Sequence, residues 1–287
     1  MQKFLLGLAQ SFVKLKTLHT IMIKQILLFS FLMLQFVFLK AGIVVLNGLS
    51  HTYKVENGKI YKGKIAIENT GSQSQSVKLF LQDFSYQSDG TIQYSAPHTN
   101  VKTNTDWIKM NTNLVTLKSK EKTEIYYEIT VPDHLSEPGS YWSVIIVEPV
   151  EEINPKENKQ GVNITSIIRY AVQVITDLDT DKAKPDLKFE GIKIEKENGK
   201  QIVKVAISNK GNLYCKPTVV MEMYDKKSGQ KTGSFTSQAM GLLPQTSKSF
   251  HIDLEKTPPS LYKAVLIATD EDENAFALNV ELEVKND

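Results

Sequence analysis

KIAIENTG at residues 64–71 and KVAISNKG at residues 204–211 decide the fold. Each alternates apolar and polar side chains, the period of a strand with one buried face, and each ends in Asn-x-Gly, a combination that turns the chain. Each is followed by a second apolar strand, Val77 to Leu81 and Val219 to Tyr224. Further on, LVTLKSKEKTEIYYEI (114–129) parallels GLLPQTSKSFHIDL (241–254), and PGSYWSVIIVE (138–148) parallels PPSLYKAVLIATD (258–270). Four corresponding blocks in the same order indicate two units of one topology. From Asn69 to Tyr141 is 72 residues and from Asn209 to Tyr262 is 53, so the first copy carries insertions, mainly within 85–112.

Working outward, residues 64–68, 77–81, 123–131, 141–147 and 164–175 are short runs rich in β-branched and aromatic residues, punctuated by Gly, Asn, Pro and Ser. No helical period is sustained after residue 42. The expected class is therefore all-β: two tandem immunoglobulin-like β-sandwiches, residues 42–182 and 183–287. DLDTDKAKPD (177–186), polar and holding Pro185, reads as the linker between them.

The N-terminus reads as a leader. The apolar run Ile26 to Phe38 lies between Lys24 and the small pair Ala41 and Gly42, the order of a secretory signal. Residues 1–41 are long for such a signal, and Met22 is the expected working start, with cleavage after Ala41. That core is short for a spanning helix, so no stable transmembrane anchor is expected in the mature chain. The leader also explains the charge. Its five lysines and no carboxylate turn the +2 of the 287-residue chain into −3 from residue 42 onward. With Arg169 the single arginine beside 33 lysines, nothing marks a nucleic-acid partner.

No constellation carries catalysis or a cofactor. GKIYKGK (58–64) has phosphate-loop spacing, but Ile65 stands where Ser or Thr would hold magnesium, and a strand follows. His51, His98, His134 and His251 are scattered without ligand spacing, and the lone Cys215 permits neither an internal disulfide nor a thiolate cluster. Asp177, Asp179 and Asp181 begin like a calcium loop. Lys182 and Lys188 occupy the places of its turn glycine and bidentate glutamate, which leaves only a looser interdomain calcium site as a candidate.

Binding candidates come from the aromatics and the final strand of the first copy. Neighbours in a strand face opposite sides, so Tyr141 and Trp142 cannot enter one core together. One of them lies outside it, either under the 85–112 insertion or in an exposed patch. Residues 162–175 alternate cleanly, with Ile164, Ile168, Tyr170 and Val172 on one face and Ile167, Arg169 and Gln173 on the other. A long strand at a sheet edge offers its backbone to another chain. Arg169, Tyr141, Trp142, Ile167 and Tyr170 are thus the expected binding residues.

IAIENTG (65–71), VKLFLQDF (77–84), the 114–129 block, YWSVIIVEP (141–149), a long polar loop and IIRYAVQVI (167–175) occur in an order that resembles the N-terminal domain of bacterial periplasmic pilus chaperones. The same order, with P-G-x-Y-W and R-Y-A-V, is similar to the peptidoglycan-binding domain of WxL-interacting surface proteins. The resemblance covers about residues 43–176. It implies an exported, non-catalytic protein of the bacterial periplasm or cell surface, whose partners are envelope or surface protein subunits or peptidoglycan. If the chaperone likeness holds for function, the 162–175 strand is donated to an incomplete subunit, and Arg169 stands for the basic residue of that strand that grips a subunit's carboxylate.

Overall fold

The computed structural model describes residues 24–25, 42–150, 167–254 and 257–285. The expected leader and the front of the 162–175 strand, up to residue 166, fall almost wholly outside the described residues. From Ile43 the chain forms one compact unit. It is all-β, with immunoglobulin-like sandwiches as its architecture.

The strands are β1 (Ile43–Val45), β2 (Ser50–Val55), β3 (Ile60–Asn69), β4 (Gln75–Tyr86), β5 (Ile92–Ser95), β6 (Ile108–Met110), β7 (Leu114–Leu117), β8 (Lys122–Thr130), β9 (Gly139–Pro149) and β10 (Tyr170–Leu178). They are followed by β11 (Leu187–Glu197), β12 (Lys200–Asn209), β13 (Thr218–Asp225), β14 (Lys231–Thr236), β15 (Ser247–Asp253), β16 (Ser260–Thr269) and β17 (Ala275–Val284). One sheet runs β1-β3-β8-β6, and the sheet facing it runs β2-β10-β9-β4, with β5 and β7 both pairing to β4. The later strands form β11-β12-β15 opposite β14-β13-β16-β17. The 85–112 insertion supplies β5, β6 and a 3-10 turn at Thr105–Trp107.

Alternation explains the first core. Ile65 and Ile67 on β3, Ile125, Tyr127 and Ile129 on β8, Val77 and Leu79 on β4, Ile145 and Val147 on β9, and Val172 and Val174 on β10 bury every second side chain between the two sheets. At its start the chain changes sheets. β1 pairs antiparallel with β3, and β2 pairs parallel with β10, from Ser50 opposite Gln173 onward. Asn47 holds the crossing, its amide donating to the Lys64 carbonyl at 2.7 Å and accepting the Ala66 N–H at 2.9 Å.

The final strand of the first copy is thus observed as 170–178, and over 173–178 it lies between β2 and β9 rather than at an edge. Sequence alternation alone does not say which strand lies beside it; the parallel return of β2 supplies the neighbour. The second core is built from Val203, Val205 and Ile207 on β12, Met221 on β13, Phe250 and Ile252 on β15, and Leu266 on β16. It does not stop at its own sheets. Phe84, Tyr86, Trp142, Val144, Ile146 and Ile175, on the outer face of the β2-β10-β9-β4 sheet, belong to the same apolar cluster.

Candidate functional site

β9 is buried on both faces, which fixes the fate of the two aromatic candidates. Tyr141 enters the first core against Trp107, with ring centroids 4.8 Å apart, and its hydroxyl donates to the Glu137 carbonyl at 2.9 Å. Trp142 points the other way, into the seam with the later strands. Its indole N–H donates to the Phe84 carbonyl at 2.7 Å, and its backbone N–H to the Lys102 carbonyl of the insertion at 2.9 Å. Both rings are therefore largely taken up by packing, at 6% and 4% exposed.

Arg169, Ile167 and Tyr170 sit at the other end of the sheet, away from the seam. Arg169 is exposed, its Nε 2.5 Å from a Glu148 carboxylate oxygen. Ile167 and its neighbour Ile168 are exposed, whereas Tyr170 packs partly against the first core. The structure thus separates the five expected binding residues into two buried in the interior and three at a distant sheet end.

The calcium candidates do not converge. Asp177 is buried at the seam and accepts the Ser140 hydroxyl at 2.5 Å. Asp179, with φ of +48°, turns outward to Lys182 at 3.3 Å, and Asp181 is exposed. Among the described residues, no three acidic, His or Cys side chains are grouped to hold a metal. Alternation along the strand and the left-handed residue after it turn these carboxylates apart. The Cys215 thiol is buried, which pushes its pKa up to about 12 and leaves it without thiolate character.

What the geometry does assemble is the seam. The Tyr86 hydroxyl accepts the Leu243 N–H at 2.9 Å and donates to the Gly241 carbonyl at 3.1 Å. The Ser88 N–H donates to the Ser247 hydroxyl, which donates in turn to the Gln87 side chain at 2.8 Å. Ser140 donates its N–H to the Asn212 carbonyl at 2.8 Å, and its hydroxyl, bonded to Asp177, accepts the Tyr214 N–H at 2.6 Å. Burial raises the Asp177 pKa to about 6, against the opposing pull of the Ser140 bond and the Lys54 charge.

Cavities flank this seam. One of about 550 Å³ lies between Phe84, Tyr86 and Ile92 on one wall and Met240, Lys248 and His251 on the other. A second, of about 570 Å³, runs beside β2, between Ser50, Lys54 and Asp177 and the acidic run Asp270, Glu271 and Asp272. A third, apolar and about 440 Å³, has Phe84, Trp142, Val101 and Pro244 in its wall. Sequence reasoning missed Phe84, Tyr86 and Lys248. The signal for the first two was present: β4 is apolar on both faces, with Val77 and Leu79 inward and Phe80, Phe84 and Tyr86 outward, which marks a covered outer sheet face.

Residues 159–287 match the family model described as WxL Interacting Protein, host binding domain. No curated protein matches the chain. Among solved structures the chain is similar to the class 5 fimbriae chaperone CfaA, at 11% identity and a TM-score of 0.43, over 85% of this chain and 100% of that one. It is similar to a chain of the CsuC–CsuE chaperone–tip adhesion subunit pre-assembly complex of Acinetobacter baumannii, at 14% identity and a TM-score of 0.41, over 83% and 98%. It is also similar to the E. coli chaperone DraB, at 8% identity and a TM-score of 0.40, over 85% and 97%. The family model names the WxL-interacting proteins that the strand-and-turn pattern resembles, by their host binding domain rather than their peptidoglycan-binding domain. The family match falls on the later strands, whereas the resemblance is carried by residues 43–176.

Proposed function

We propose that this chain is a non-catalytic envelope protein of a bacterium, exported by its leader, whose two immunoglobulin-like domains, 42–182 and 183–287, hold a surface partner. The match of residues 159–287 to a host binding domain carries this reading. It supports a partner-binding role for the later domain, and the first domain meets the envelope, through cell wall or a surface subunit. The two-sided burial of β9 supports a tethered pair that presents one fixed surface. The test is capture: the chain from residue 42 is immobilised and exposed to envelope extract, purified cell wall and host surface proteins. Retention of a host or envelope protein at physiological salt supports the reading, and failure to retain any of the three would sink it.

A second reading, an assembly chaperone, is favoured by one observation. β2 joins β10 only from Gln173 onward, so Tyr170–Val172 have no β2 partner on that edge. Arg169→Ala separates the two readings. A chaperone that grips a subunit's carboxylate loses subunit binding in this variant. A scaffold keeps its partner and changes stability by only about 0–1 kcal/mol, the worth of an exposed ion pair such as Arg169–Glu148.

A further inference from the structure

Lys248, on β15, carries its ammonium 4.4 Å above the centre of the Tyr86 ring, at the place where the later strands meet the outer face of β4. Its side chain is half-buried, and among the described residues its ammonium has no hydrogen bond and no carboxylate within ion-pair reach. Its neighbours differ. Lys204 is held by Glu195 and Glu197, each at 2.6 Å, and His251 faces Glu197 at 3.8 Å. Burial accordingly pushes the Lys248 pKa down. An ammonium withdrawn from water without a counter-ion is costly, and a tyrosine face compensates only in part. An apolar side chain of the same length would fill this space without that cost, so the charge points to an anion that arrives from outside.

The surroundings narrow the anion. In the cavity of about 550 Å³, Lys248 is the one cation of that wall not already neutralised, and the rim carries the Asp89 carboxylate, kept ionised by the Thr91 N–H at 2.8 Å. One free positive charge facing a rim carboxylate suits a monoanion and disfavours a phosphate dianion. Beside that charge, Phe84, Tyr86 and Ile92 form an apolar wall, with Ile92 58% exposed. Lys248 also lines the cavity that holds Asp177 and the acidic run Asp270 to Asp272, which repels an anion there and favours an occupant against Phe84 and Tyr86.

We propose that this cleft takes an acidic segment of a partner polypeptide, with one carboxylate on Lys248 and a neighbouring apolar side chain against Phe84 and Ile92. The proposal rests on the binding-protein reading above and names the chemistry of its partner.

The probe is an end-capped pentapeptide with a central glutamate between two phenylalanines and a glycine at each end, compared with its glutamine counterpart and with a glycine pentapeptide that ends in a free carboxylate. Each is titrated into the chain from residue 42, its lysines labelled as 13C-dimethylamines, with Lys248→Met and Lys248→Arg alongside. The expected result is a shift of the Lys248 resonance, a rise of its pKa at saturation, and affinity weaker by about tenfold or more for the glutamine peptide and for Lys248→Met, while Lys248→Arg stays close to wild type. Tighter binding of the glutamate peptide supports it; tighter binding of the glycine peptide, which offers only its terminal carboxylate and no apolar side chain, overturns it. Equal binding of the glutamate and glutamine peptides, unchanged binding by Lys248→Met, or no binding at millimolar peptide overturns it. Those failures leave whole-chain capture of a partner untouched, so they are distinguishable from failure of the broader reading.

Discussion

Asn69 and Asn209, which share no sandwich, hold their turns with the same set of hydrogen bonds. The Asn69 N–H donates to the Glu121 carbonyl and its C=O accepts from Lys120; the Asn209 N–H donates to Thr246 and its C=O accepts from Gln245. Each side-chain oxygen accepts the N–H two residues on, from Gly71 at 2.9 Å and Gly211 at 3.0 Å. Each side-chain N–H₂ donates to carbonyls of the facing loop, Leu117 and Lys118 in one case and Leu242 in the other. Even the strained partners correspond, since Lys120 and Gln245 both have left-handed φ, +61° and +58°. Tyr141 and Tyr262 repeat the pattern, each hydroxyl reaching the carbonyl four residues back.

Asn69→Ala and Asn209→Ala remove side-chain donors from buried carbonyls and the acceptor of the glycine N–H, and each is expected to lower stability by about 1–3 kcal/mol in urea unfolding. Asn→Asp is the sharper test. It sets a carboxylate oxygen against the same carbonyls, so at neutral pH it should cost more than alanine and recover part of the loss in acid, where the carboxyl regains a proton. Aspartate variants milder than alanine at pH 7 would contradict this account of the turn.

Tyr86→Phe removes the acceptor of the Leu243 N–H and is expected to cost about 1–3 kcal/mol. Burial also raises the Tyr86 pKa to about 12, from the ordinary 10. The folded state therefore holds this proton while the unfolded chain releases it. Stability is full below pH 10 and falls by about 3 kcal/mol as the pH rises from 10 to 12. The variant should lack that component, and a wild-type alkaline limb that Tyr86→Phe leaves unaltered would refute it.

The Asn-x-Gly turns and the two tyrosines were legible because each is a local device: one residue bonds backbone within a few positions or across one fixed hairpin. The seam was not, because its partners are far apart in the chain. Alternation placed Trp142 on the face opposite Tyr141, but what covers that face is decided by Phe84, by the Lys102 carbonyl and by strands some hundred residues later. In the same way the pattern of 162–175 predicts a strand but not the parallel neighbour β2, whose register depends on a change of sheets at Asn47. Lys248 gave no signal at all, since one lysine among many has meaning only through the carboxylates it lacks.

Asp177 provides a pH test of the seam. Its pKa, raised by burial to about 6 from 3.8, means the folded state binds a proton that the unfolded state has released. Stability is thus highest below pH 4 for this group and declines as the pH rises toward 6, by about 3 kcal/mol in all. Asp177→Asn keeps an oxygen for the Ser140 hydroxyl and removes the buried charge. The variant should match wild type near pH 4, exceed it at pH 7, and show a flatter slope between; parallel pH profiles would dismiss the assignment.

Gly139 is where a single methyl group tests whether the earlier and the later strands unfold as one. Its φ is +119°, and a Cβ there would collide with the Asn212 carbonyl oxygen, the atom that accepts the Ser140 N–H. Asn212 also donates to the Pro138 carbonyl at 3.2 Å and accepts the Lys184 N–H at 3.0 Å, so displacing it loosens the segment around Lys184 as well. Gly90 is the control. It too has a left-handed φ, +90°, but a methyl group there would meet no atom within 4 Å, so Gly90→Ala carries only the conformational penalty of about 1–2 kcal/mol. Gly139→Ala should cost more than Gly90→Ala, split the unfolding curve into two transitions, and open residues 179–186 to limited proteolysis. A single transition with residues 179–186 uncut would mean that the shared apolar cluster around Trp142 and Tyr86 holds the earlier and later strands together without this contact.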